Sequence, residues 1–303
     1  MFKSIFAFLV MLIILCSSCN ASSNERMGAG KAVVLGVVEG LTEYLPVSST
    51  GHLNVTEKLL GIGTNQEDKE AIDAYTICIQ FGAIIAVLWL YYGRIKQVVM
   101  GILGKNIKGR ILAINLLIAF LPAVIIGLLF EKPIKTHLFG IVPVIIAWFV
   151  GGFLILAISK KIDKSRYSKL NLDSITYKQA ALIGLIQCIA MWPGVSRSLA
   201  VIVGAVLVGL SLPAAVEFSF LLGLITLSAA AGFDAIKHGK LIVSTFGIVD
   251  PLIGGIAAFV SAIFAVKWMV NYLNQKGMNV FGYYRIAAAL IISILLLTGV
   301  IKL

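Results

Sequence analysis

The chain has 303 residues, of which 59% are hydrophobic and 13% charged, and carries a net charge of +11. That mix lies outside the range of a water-soluble domain, and the apolar residues fall in runs of about 20, the length that spans hydrocarbon. The positive charge would suit nucleic acid, but its lysines and arginines concentrate in two short loops between apolar runs, so it reads as membrane topology instead.

In chain order, residues 1–26 stand apart from the rest. Lys3, an apolar run from Ile5 to Leu15 and then Cys16-Ser17-Ser18-Cys19 have the grammar of a signal peptide or an uncleaved anchor. A lipoprotein cleavage site is a weaker reading, because Cys16 stands where leucine is usual. Residues 27–303 read as a single membrane-embedded domain. Outside the leader the cysteines are Cys78 and Cys188, both in apolar segments, so no disulfide framework is expected.

Residues 29–58 contain Glu39-Gly40-Leu41-Thr42-Glu43-Tyr44-Leu45-Pro46-Val47-Ser48-Ser49-Thr50-Gly51-His52. Two carboxylates, a helix breaker, hydroxyls and an imidazole are costly in lipid and mark a candidate site. Loop 57–73 holds Glu57, Glu67, Asp68, Glu70 and Asp73 against Lys58 and Lys69, and is expected outside. Loop 94–110 carries Arg94, Lys96, Lys105, Lys108 and Arg110 without an acid. Loop 159–178 is also basic, and both are expected in the cytoplasm. Six full spans are predicted near 73–93, 109–130, 138–158, 213–232, 247–269 and 284–303.

A second polar stretch, Gln187-Cys188-Ile189-Ala190-Met191-Trp192-Pro193-Gly194-Val195-Ser196-Arg197-Ser198, follows the layout of the first at a constant offset, 196 − 48 = 148. Gly36 matches Gly184, Glu39 matches Gln187, Tyr44 matches Trp192 and Ser48 matches Ser196. The predicted fold class is therefore all-α: about six transmembrane helices plus two re-entrant helical hairpins in an inverted repeat, its halves roughly 29–158 and 179–303. Pro46 and Pro193-Gly194 are expected to end the entering helices, and the serines after them to cap the returning ones. Two helix N-termini facing each other would suit a diphosphate. Ordinary kinks and helix packing are the plainer alternative.

Glu39 and Glu43 stand four residues apart and share one helix face. Their repulsion needs relief from a divalent cation such as Mg²⁺ or Ca²⁺, from Arg197, or from protonation of one acid. Arg197 offers a planar, bidentate fork suited to phosphate, or a structural salt bridge to either glutamate. Ser48, Ser49 and Thr50 include candidate nucleophiles, and His52 is near enough to Ser49 to act as base, to bind phosphate, or simply to be a satisfied polar residue. Ser196 and Ser198 would cap a helix or donate to a phosphate oxygen. Glu217 reads as structural, and Tyr283-Tyr284-Arg285 as an interfacial anchor.

With Glu39-Gly40-Leu41-Thr42-Glu43, Pro46-Val47-Ser48-Ser49-Thr50-Gly51-His52 and Pro193-Gly194-Val195-Ser196-Arg197-Ser198 in place, residues 29–303 resemble the bacterial undecaprenyl-diphosphatase, or bacitracin-resistance, family. Ile79-Gln80-Phe81-Gly82, Leu121-Pro122-Ala123 and Glu217-Phe218-Ser219-Phe220-Leu221-Leu222 add to the likeness. The resemblance implies hydrolysis of undecaprenyl diphosphate on the outer side of the cytoplasmic membrane, recycling the carrier lipid of cell-wall synthesis and giving bacitracin resistance. It points to Glu39, Glu43, Ser49, His52 and Arg197 as catalytic, with a divalent cation; from the residues themselves, Glu39 and Glu43 are expected to hold that cation and Ser48, Thr50, Ser196 and Ser198 to bind substrate. The partners it implies are the lipid substrate and the bilayer, with a homodimer as one option. Val201 and Ile225 depart from the family's usual threonine and proline.

Two other readings compete with this resemblance. Thr50-Gly51-His52 and Ser196-Arg197 faintly echo a different class of lipid phosphatase, but the other histidines, His137 and His238, lie near predicted loops, and no lysine-rich signature precedes His52. A polyprenyl-phosphate flippase shares the expected architecture and differs in releasing no phosphate.

Overall fold

The computed structural model describes residues 27–63 and 66–301; the leader lies outside them. Eleven α-helices follow one another among the described residues: α1 Gly28–Thr42, α2 Ser49–Leu60, α3 Gln66–Leu90, α4 Tyr92–Ile102, α5 Ile107–Leu138, α6 Ile141–Ser165, α7 Tyr177–Gln187, α8 Arg197–Leu207, α9 Leu212–Phe246, α10 Val249–Lys276 and α11 Asn279–Leu297. Short 3₁₀ turns occupy Leu172–Ser174 and Cys188–Met191, and no strand occurs among the described residues. Segments of α3, α5, α6, α9, α10 and α11 are long and apolar enough to cross a bilayer, so the chain is a multi-pass membrane protein with six candidate spans. They overlap the six stretches expected from hydropathy.

At the offset of 148 residues α1 falls on α7, α2 on α8 and α3 on α9, while α5 overlaps α10, α6 overlaps the end of α11, and α4 falls on the end of α9. Part of the packing follows the same correspondence. Helix α1 lies against α10 and α7 lies against α5, while α3 meets α9 and α6 meets α11. The first of these contacts is close because small residues line it. A side chain at Gly36 would run into the backbone of Gly254, and one at Gly40 into Ser261 and Ala258.

Both helix breaks begin upstream of their prolines, contrary to the expectation that Pro46 and Pro193 end α1 and α7. A residue preceding proline is pushed out of the α region, so the chain must unwind earlier. Trp192, before Pro193, is extended at φ −74° and ψ 116°. In the first break the Glu43 N–H still donates to Glu39 O at 2.9 Å, which keeps both glutamates in helical register before the chain turns.

The breaks end at Ser48 (φ 72°) and Ser196 (φ 77°), the two non-glycine residues with positive φ among those described, at positions separated by the same 148-residue offset. Such backbone is held only where its surroundings over-determine it. The expected capping is found once: the Ser196 hydroxyl accepts from Leu199 N at 3.3 Å, whereas Ser48 makes no side-chain cap.

Candidate active site at the two helix breaks

The first break supplies a carboxylate and a hydroxyl, the second a guanidinium, and the three form one chain. Arg197 Nη2 donates to Glu43 Oε1 at 2.9 Å, and the Ser49 hydroxyl donates to Glu43 Oε2 through a short hydrogen bond. The Arg197 and Glu43 side chains are only 14% and 6% exposed, so water screens their attraction little. Arg197 Nη1 donates to Ser219 O on α9 at 3.0 Å, and the guanidinium lies 5.6 Å from the centre of the Tyr44 ring. A side chain at Gly223 would occupy the guanidinium's place, so α9 is shaped around it.

Around this chain lie polar atoms that the fold does not satisfy. Glu39 is fully buried beside Glu43 and Arg197, and no residue other than the Glu43 carboxyl offers its two oxygens a hydrogen bond among the described residues. Tyr44 Oη, Arg197 Nε and Ser219 Oγ are likewise buried without partners. Unpaired polar groups in a low-dielectric interior are costly, and a cluster of them holding acids, donors and a hydroxyl suits a polar, charged ligand.

The other expected residues have different neighbours. His52 is buried, with Nδ1 2.7 Å from Ser48 O and Nε2 2.7 Å from Tyr284 Oη on α11. A carbonyl only accepts, so Nδ1 donates, and in a neutral ring Nε2 accepts from Tyr284. Its faces pack on Trp148 and Tyr284. Both ring nitrogens are thus engaged away from Ser49, and the group that receives the Ser49 hydrogen bond is Glu43. Ser198 donates to Leu45 O at 2.9 Å and Ser196 reaches the same carbonyl at 3.4 Å, fastening one break to the other. Thr50 is half-buried and outside this network.

Arg285 overturns its reading as an interfacial anchor. It is fully buried, because α11 packs on α6 and carries it inward between the breaks. Only Tyr283 of the trio is exposed. Glu217 keeps the structural role expected of it, accepting from Arg94 Nε at 2.7 Å, while Arg94 also reaches Asp173 at 3.1 Å. Tyr44, Ser219 and Tyr284 are named in the sequence only as members of longer motifs, not as site residues. A tyrosine hydroxyl one residue after Glu43 was the available signal for the first.

A sequence model of the family described as bacitracin resistance protein BacA matches residues 32–291. The chain belongs to the BacA family. Among the relatives of this chain, the undecaprenyl-diphosphatase 2 of Rhodospirillum rubrum is 44% identical over 263 residues, which cover 86% of the chain and 93% of the relative. The undecaprenyl-diphosphatase of Sorangium cellulosum is 43% identical over 258 residues, 84% of the chain and 82% of the relative. That of Nitrosomonas europaea is 42% identical over 272 residues, 89% of the chain and 96% of the relative. The BacA match takes in both helix breaks and all of Glu39, Glu43, Ser49, His52 and Arg197.

Proposed function

We propose that this chain hydrolyses undecaprenyl diphosphate to undecaprenyl phosphate and inorganic phosphate, as the names of its relatives describe for them. The observation that carries the reading is the buried chain from Ser49 through Glu43 to Arg197, drawn from both helix breaks. Ser49 Oγ attacks the terminal phosphorus while Glu43 takes its proton. The bond from phosphorus to the bridging oxygen breaks, and undecaprenyl phosphate leaves with the electron pair. Arg197 faces the phosphoryl oxygens with its unpartnered Nε–H, and the start of α8 adds backbone donors. Water then attacks the phosphoserine, phosphate departs, and the proton held by Glu43 returns to Ser49.

The resemblance implies a divalent cation, and the acids fit one in part. Among the described residues no three His, Cys, Asp or Glu side chains gather to hold an ion, so the substrate's oxygens would have to complete the ligand set. Glu39, whose oxygens have no hydrogen-bonding neighbour but the Glu43 carboxyl, and Glu43 would hold it. When bound, a hard cation would polarise the phosphoryl group and balance the charge of two acids and a diphosphate.

Phosphate release from undecaprenyl diphosphate by the full chain purified in detergent tests the reading. Release is expected; lipid binding without release would identify a flippase instead. The same assay tests the cation: chelation is expected to abolish release, and Glu43→Gln to raise the metal concentration needed for half activity. Full activity in excess chelator, with metal removal verified by elemental analysis, would leave the glutamates as a proton-transfer and salt-bridge pair.

The charge bias of the loops supports a site facing the outer side of the cytoplasmic membrane, with α1–α2 and α7–α8 as hairpins entering from opposite faces. A cysteine placed at Lys164 is expected to resist an impermeant reagent in intact cells, and one near Glu57 to react. The reverse pattern would invert this orientation.

A further inference from the structure

A buried arginine without an acid is unusual inside a membrane protein, and Arg285 is one: no carboxylate pairs with it among the described residues. Its partners are main-chain carbonyls. Nη1 donates to Pro46 O and Val195 O, each at 3.2 Å, and Nη2 to Gly194 O at 2.7 Å and Ala147 O at 2.8 Å. One guanidinium therefore holds the last turn of the first break, the last turn of the second, and helix α6 behind them.

This placement has a chemical consequence. The peptide bonds are trans, so C=O and N–H of each unit point in opposite directions. With Val195 O turned onto Arg285, the Ser196 N–H faces the other way, at the start of the helix that carries Arg197. The strained backbone at Ser48 and Ser196 lies one or two residues beyond the carbonyls that Arg285 holds. From the same helix Tyr284 braces Ser48 O through His52, so α11 supports both breaks from behind.

We propose that Arg285 is a positioning residue for the phosphatase reaction: by clasping both helix breaks it sets the distance and angle between Ser49–Glu43 and Arg197. The inference rests on the phosphatase reading above. It requires the fork as well as the charge, because lysine has three donors on one nitrogen and cannot span carbonyls from three segments.

Two variants test it in the detergent-purified full chain. Arg285→Lys keeps the charge and loses the fork. Gly151→Ala, on α6 and remote from the chemistry, places a methyl against the Arg285 guanidinium and displaces it without altering it. Each is expected to lower kcat about 10²-fold, the scale of an ångström's misplacement of reacting groups, while KM changes far less. Hydrogen–deuterium exchange is expected to quicken at residues 44–49 and 193–198 together. If Arg285→Lys does not fold, Gly151→Ala decides alone. Parent-like turnover, or unchanged exchange at both breaks, overturns the proposal. Absence of phosphate release from the parent chain would remove the phosphatase reading, and the exchange measurement would still decide whether the clasp exists.

Discussion

Replacing Arg197 by lysine is expected to lower phosphate release by about 10²–10³-fold, the cost of losing one preorganised electrostatic stabiliser. The side chain has three tasks at once: Nη2 reaches Glu43, Nη1 reaches Ser219 O, and Nε is left for the substrate. A lysine ammonium is a point charge that can satisfy Glu43 but cannot keep the other two directions filled. The effect should fall mainly on kcat, since the charge that attracts the diphosphate remains. Near-parental turnover by a folded Arg197→Lys chain would reduce Arg197 to a salt bridge.

Ser49→Ala is expected to remove nearly all phosphate release while the lipid still binds, because Ser49 is the hydroxyl that already donates its hydrogen bond to Glu43. Ser48→Ala should be the milder change. Ser48 makes no side-chain cap, and what the first break uses of it is its carbonyl, bound by His52. Measuring turnover and lipid binding for both variants separates the roles. If Ser48→Ala proved the more damaging, the nucleophile would lie one residue earlier and on another face of the turn.

The six spans were legible because an apolar run of fixed length is a local property of sequence. Glu39, Glu43 and Arg197 were legible for the converse reason, as charges in segments that should have none. What the sequence did not disclose depends on contacts between distant segments. Arg285 beside two tyrosines at a span boundary has the composition of an interfacial anchor, and only the packing of α11 on α6 turns it inward. Its position at the edge of a predicted apolar span was the one warning. The surroundings of His52 were equally hidden, since its two partners are the Ser48 carbonyl and a tyrosine 232 residues away. Helix ends were misplaced by a few residues because proline was taken as the stop, whereas the constraint acts on the residue before it.

The close contact of α1 with α10 bears on how the chain is made. Gly36 waits for Gly254, which is synthesised 254 − 36 = 218 residues later. At about 5–20 residues per second that interval is roughly 10–45 s. Until then the helix bearing Glu39 and Glu43 has no permanent neighbour on its small-residue face, so biogenesis must shelter two carboxylates from hydrocarbon. The first described helix is thus among the last to dock, and a chain truncated before residue 249 would leave it without its seat.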